Sequence, residues 1–72
     1  MTPHEIYLKK IGANIRRERT SKLIKQEYLG KKVGLNKSEI SRIENGKRET
    51  KITMIRKIAI EIGVTASSLL EE

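Results

Sequence analysis

A chain of 72 residues with 16 Lys and Arg against 9 Asp and Glu, a net charge of +7 and no cysteine excludes a disulfide scaffold and a thiolate metal site. A single domain of this length buries only roughly 60% of its unfolded surface, so its apolar residues are needed for the core and little is left for a catalytic cleft. The charge surplus favours a polyanionic partner, with nucleic acid ahead of an anionic membrane surface.

No apolar run approaches the ~20 residues of a membrane-spanning helix, and the basic N-terminal stretch lacks the apolar segment of a signal peptide. A cytoplasmic location is therefore expected, in keeping with the missing cysteines.

Thr2-Pro3-His4-Glu5 has the form of an N-cap, a proline in the first helical position and a Glu closing a capping box. A long first helix follows, with Tyr7, Leu8, Ile11 and Ile15 at helical spacing, and should end near Lys22. The second helix should start at Gln26, turn Leu29 and Val33 inward and stop at Gly34, which can adopt a left-handed C-cap. Leu35 turns inward, and Asn36 with Glu39 three residues on is a second capping box. Ile40 and Ile43 face the core from a third helix that ends near Asn45-Gly46. A fourth begins after Thr50 and runs through Ile52, Ile55, Ile58, Ala59 and Ile62 to Gly63. Thr65 caps a short fifth helix bearing Leu69 and Leu70. The Ile and Val spacing follows 3.6 and not 2, so the expected fold is all-α: one domain over residues 1–72, a five-helix orthogonal bundle.

From Gln26 to Asn45 the order is helix, tight turn, helix, with Leu29, Val33, Leu35, Ile40 and Ile43 filling the angle between steeply crossed helices. Gly30 keeps the second helix slim where a neighbour must approach. Lys37, Ser38, Ser41 and Arg42 are left on one outward face. A convex polar helix of this kind fits the major groove, where base edges carry a distinct donor and acceptor code.

The stretch from Ile11 to Leu70 resembles the Cro/repressor-type (XRE-like) helix-turn-helix family. The matching residues include Arg19, Gln26-Glu27, Leu29, Val33-Gly34-Leu35, the run Ile40-Ser41-Arg42-Ile43-Glu44-Asn45-Gly46-Lys47, and Ile62-Gly63-Val64. The resemblance implies a lambda-repressor-like fold and a role for each matching position. Asn36, Lys37, Ser38, Ser41 and Arg42 would read bases; Gln26, Asn45, Lys47 and Arg48 would hold phosphates; Arg19 and Glu44 would form an internal ion pair. The chain departs from the family at Leu23, where a glycine is usual between the first two helices, and at Lys25, where a Ser or Thr cap is usual. Glu18 replaces a commonly apolar residue, and Gly30 a commoner alanine, at about 1 kcal/mol of helix stability. Whether the first turn is built in the family's way, and whether the second helix starts uncapped, is left open by these changes.

Other charged residues have blander explanations. Lys9, Lys10, Arg16 and Arg17 form either a phosphate-facing patch or a solvated face, while Lys31, Lys32, Arg56 and Lys57 read as solvated. The single histidine, His4, has no companions for a metal site and no partner for a nucleophile-base pair. There is no phosphate-binding glycine loop, and the two aromatics, Tyr7 and Tyr28, are too few for a single-strand stacking platform. The expectation is a non-enzyme without cofactor, metal or small-molecule substrate. It would be a sequence-specific regulator of double-stranded DNA, binding a two-fold operator as a homodimer through either Leu69 and Leu70 or Tyr7 and Leu8. The rival expectation is a protein-interaction module, such as the antitoxin of a toxin-antitoxin pair, that binds DNA only secondarily.

Overall fold

The computed structural model describes residues 1–72 as five helices: α1 (Pro3–Ser21), α2 (Gln26–Val33), α3 (Lys37–Glu44), α4 (Ile52–Ile62) and α5 (Ala66–Leu70). Helix starts follow the capping chemistry of the sequence. The Thr2 hydroxyl accepts from the Glu5 backbone amide, and the Glu5 carboxylate accepts from the Thr2 amide at 3.1 Å, closing the first capping box. Asn36 and Glu39 form the second box in the same way, and the Thr65 hydroxyl caps α5. Lys25 offers no side-chain cap, so α2 does start uncapped.

Ile11 and Ile15 of α1, Leu29 and Val33 of α2, Ile40 and Ile43 of α3, four residues of α4 and Leu69 make one continuous core. Helix α3 packs only on α1 and α2, while α4 and α5 close the opposite side of the bundle. The recognition-helix candidate thus stands at the margin of the fold, fastened along one face and open along the other. Two residues at the apolar helical spacing stay outside the core. Tyr7 lies at the edge of the α1 face and is 38% exposed, and Ile52, in the first turn of α4, is exposed. The first turn of α1 is instead pinned to the α3–α4 loop by an exposed His4 Nε2 to Glu49 Oε2 contact of 2.7 Å.

The turns explain the departures from the family pattern. Gly34 closes α2 at φ +80°, a left-handed conformation that costs an L-residue roughly 1–2 kcal/mol. Leu23 adopts the same conformation at φ +60° with its side chain 90% exposed. The first turn therefore has the geometry a glycine would favour, held by a leucine. Gly30 is needed for space, although against the turn and not a neighbouring helix: a Cβ there would lie 2.4 Å from the Leu35 carbonyl oxygen. Glu18 stays on the rim of the bundle, paired with Arg17.

One buried polar residue went unnoticed in the sequence. Asn14 donates from Nδ2 to the carbonyls of Leu69 (3.0 Å) and Glu71 (2.6 Å) and accepts from Arg17 at Oδ1. It satisfies carbonyls at the end of α5 that have no helical partner and ties the C-terminal residues to the middle of α1.

Candidate nucleic-acid interface

Helix α3 presents Lys37, Ser38 and Arg42 to solvent, with Ser41 half-buried between them. Lys37, Ser38 and Arg42 make no side-chain hydrogen bond or ion pair within the protein, and neither does the exposed Lys47 beyond the end of the helix. Their donors are free for a ligand. Asn36 is exposed at the start of α3, but its Oδ1 is engaged as the helix cap, 2.8 Å from the Glu39 amide.

The residues expected to hold phosphates divide into two groups. Lys47 is exposed and unpaired. Three others have side chains turned onto the protein. Asn45 donates from Nδ2 to the Ser41 carbonyl at 2.9 Å. Arg48 donates from Nη1 to Glu39 Oε2 at 2.6 Å. Gln26 donates from Nε2 to Glu44 Oε1 at 2.9 Å. These bonds hold the frame around α3 and leave fewer donors pointing outward than the resemblance implies.

The internal ion pair is present and bidentate. Arg19 Nε meets Glu44 Oε2 at 2.6 Å and Nη2 meets Oε1 at 3.0 Å, with side-chain exposures of 9% and 2%. A third donor, Nη1, reaches the Ile24 carbonyl at 2.7 Å. The fork of guanidinium donors matches the carboxylate geometry, and no buried side-chain polar atom is left without a partner. Gly12 lets α1 come close enough for this: a Cβ there would fall 2.4 and 2.5 Å from the carbonyl oxygens of Ile43 and Glu44.

At the other end of α3, Glu39 accepts from the Asn36 amide and from Arg48. The Asn36 amide, and secondarily the Arg48 guanidinium, hold its carboxyl below the usual carboxylate range.

A shallow depression of about 670 Å³, lined by polar and charged residues, runs between the C-terminal part of α1, the start of α2 and the outer side of α3. Its rim includes Arg16 and Lys25 together with Lys37, Ser41 and Asn45. Of the four basic residues of α1 that read as either a phosphate-facing patch or a solvated face, Arg16 lines this depression; it follows Gly12 by four residues and so shares the helix face that meets α3. Lys25 was absent from the expected site. Lys25 looked only like a missing cap. The uncapped start of α2 leaves the amides of Gln26, Glu27 and Tyr28 without helical acceptors, and the first backbone bond of this helix is from Leu29 to Lys25. Positive helix-end potential and two cations thus converge on one side of the depression. Elsewhere on α2, Lys32 lies over the exposed Tyr28 ring at 5.4 Å.

A family model for helix-turn-helix domains (HTH_3) matches residues 15–69. Among solved structures, the restriction-modification controller protein C.AhdI of Aeromonas hydrophila is similar at a TM-score of 0.87 and 31% identity, covering 94% of this chain and 99% of that one. A hypothetical transcription factor of Neisseria is similar at a TM-score of 0.81 and 32% identity, covering 99% of this chain and 83% of that one. The clp gene regulator ClgR of Corynebacterium glutamicum shares the fold at a TM-score of 0.86 and 19% identity, over 89% of this chain and 68% of that one. No curated protein sequence gives a match to the chain.

Proposed function

The chain belongs to the helix-turn-helix family HTH_3 and is a DNA-binding transcriptional regulator; we propose that it reads a two-fold operator as a homodimer, with one α3 in the major groove of each half-site. The observation that carries this is the open face of α3, where Lys37, Ser38 and Arg42 have donors engaged by nothing in the protein. Arg42 is suited to guanine through paired bonds to O6 and N7, and Lys37 supplies a second donor five residues earlier, about 1.4 helical turns. Ser41 and the free amide nitrogen of Asn36 flank them.

Phosphates would be held by Lys47, Arg16 and Lys25, aided by the uncapped amides of α2. Arg48 and Asn45 would act mainly through the loop and helix end that they brace. Such contacts set register and affinity, and only the α3 face carries discrimination. One recognition helix covers few base pairs, so a second copy about one helical turn away, ~34 Å, is needed for a selective site. Similarity to a restriction-modification controller over nearly its whole length supports the regulator over the antitoxin alternative.

The test is selection of bound duplexes from a random pool at two salt concentrations. A two-fold motif with fixed half-site spacing is expected. Arg42→Ala and Lys37→Ala should each relax preference at one position per half-site, by ~1–3 kcal/mol where the contact is bidentate. Lys47→Ala should weaken all sequences alike and flatten the salt dependence. Salt-sensitive binding with no motif would sink the proposal of sequence-specific recognition.

A further inference from the structure

Leu23 and Ile60 are the two most exposed large hydrophobic side chains of the molecule, and Tyr28 is about half-exposed. Single apolar residues are ordinary on any surface, but these three lie along one flank. A groove of about 270 Å³ runs between α2 and α4, with Lys32 and Val33 on one wall and Lys57, Ile60 and Glu61 on the other. Tyr28 stands one turn before Lys32, whose ammonium lies 5.4 Å from the ring centroid. At the end of α4, a Cβ on Gly63 would meet the Lys22 ammonium at 3.7 Å. The turn that carries Leu23 therefore adjoins the same flank.

Leu23 adds an observation of a different kind. Its backbone is left-handed, a conformation unfavourable to a residue with a Cβ, and its side chain packs on nothing within the protein. Strain with no internal return points to a contact outside the chain. Lys22, Lys32 and Lys57 have no carboxylate partner, and Glu61 is the one acidic residue lining the groove. Three ammonium groups against one carboxylate favour a negative partner. We propose that the α2–α4 flank docks an acidic amphipathic helix of another protein. Its apolar side would rest on Leu23, Tyr28 and Ile60, with its carboxylates toward Lys22, Lys32 and Lys57, since a trough between two helices suits a third. The groove contains no α3 residue and shares no lining residue with the polar depression, so this partner and a duplex bind together.

The test is selection from a displayed library of random-sequence helical peptides, with the full chain as bait. Enriched peptides should carry apolar residues at i, i+3 or i+4 and i+7, with Asp or Glu beside them. Leu23→Gly and Ile60→Ser should each weaken the selected peptides about threefold to tenfold, a part of what burying such a side chain supports. DNA affinity and base preference should not change in either variant, and a duplex on α3 should leave peptide affinity intact. Leu23→Gly is the more decisive of the two, because it relieves backbone strain while removing the contact. Loss of binding through misfolding would instead lower the melting temperature. Peptides that retain affinity for both variants, that are displaced by duplex, or that show no acidic preference overturn the proposal, as does a library that yields no binder. None of these outcomes touches the reading of α3, and absence of a motif in the duplex selection would sink that reading alone.

Discussion

The two ends of α3 are fastened by the same chemistry, a carboxylate against a guanidinium at 2.6 Å, and they differ in how much water reaches them. At the start, Glu39 and Arg48 are about one-third exposed; at the end, Glu44 and Arg19 are 2% and 9% exposed. A wet pair gains little, because solvent screens it and two long side chains must be ordered. A dry pair is strongly interdependent, because removing one partner leaves a charge with no water to turn to. Helix α3 is therefore clamped hard where it meets α1 and held lightly where it leaves the turn.

The largest expected effect lies at the dry end. Glu44→Ala should destabilise the domain by about 3–5 kcal/mol, the range for breaking a buried pair. For a domain of this size that is a fall in Tm on the order of 15–30 °C, measured by thermal melting. Replacing both partners sharpens the comparison. Arg19→Met with Glu44→Leu removes both buried charges, and it should recover part of the loss. A double variant no more stable than Glu44→Ala would show that packing, and not the stranded charge, governs this end. Next in size is Gly12→Ala. Its Cβ would drive α1 away from the backbone of Ile43 and Glu44, costing about 2 kcal/mol as overpacking and lengthening the Arg19–Glu44 contact.

This contrast also explains what the sequence made legible. Helix ends, the two capping boxes and the Gly34 turn are local patterns fulfilled within a few positions, and the core-facing residues are marked by helical spacing, although the core they form joins Ile11 to Leu69. The Arg19–Glu44 pair spans 25 residues and was visible only through the family resemblance. Asn14 shares the inward helical spacing of Ile11 and Ile15, but its carbonyl partners lie 55 and 57 residues away and no local pattern names them. The exposed polar face of α3 was legible in the spacing, and the internal partners of its polar neighbours were not. A long polar side chain can turn outward or inward from the same backbone position: Arg48 and Gln26 turn onto carboxylates within reach, while the exposed Asn45 folds back along α3 onto the Ser41 carbonyl.

A smaller effect tests the frame behind the dry end. Leu23 holds a left-handed backbone in the turn that brings the Ile24 carbonyl to Arg19 Nη1. Leu23→Gly should relieve the strain, offset in part by the greater freedom of glycine when unfolded. The net gain should be about 0.5–1 kcal/mol, a rise of a few degrees in Tm. Nothing packs on this 90% exposed side chain, so loss of contacts should not mask the gain. A fall in Tm on this substitution would mean that the left-handed turn is not strained by leucine.

The smallest effect belongs to the wet end, and pH separates it from the rest. The Asn36 amide and Arg48 hold the Glu39 carboxyl below its usual value near 4.5. The folded state therefore binds its proton less readily than the unfolded chain does. The stabilisation is complete above the unfolded value and is lost as pH falls through the lower, folded one. Glu39→Gln keeps the shape of the cap and removes the charge. Its Tm should lie below that of the wild type at neutral pH, by less than the Leu23 effect, and the gap should close on acidification below about 4.5. Added salt should narrow it at neutral pH as well, since the pair is solvent-accessible. Glu5, lowered in the same sense by the Thr2 amide, contributes its own acid limb, so Glu39→Gln alone flattens only part of the profile. A gap that persisted unchanged at acid pH would assign the contribution of Glu39 to the neutral geometry of the cap. The two ends of α3 would then differ in kind as well as in burial.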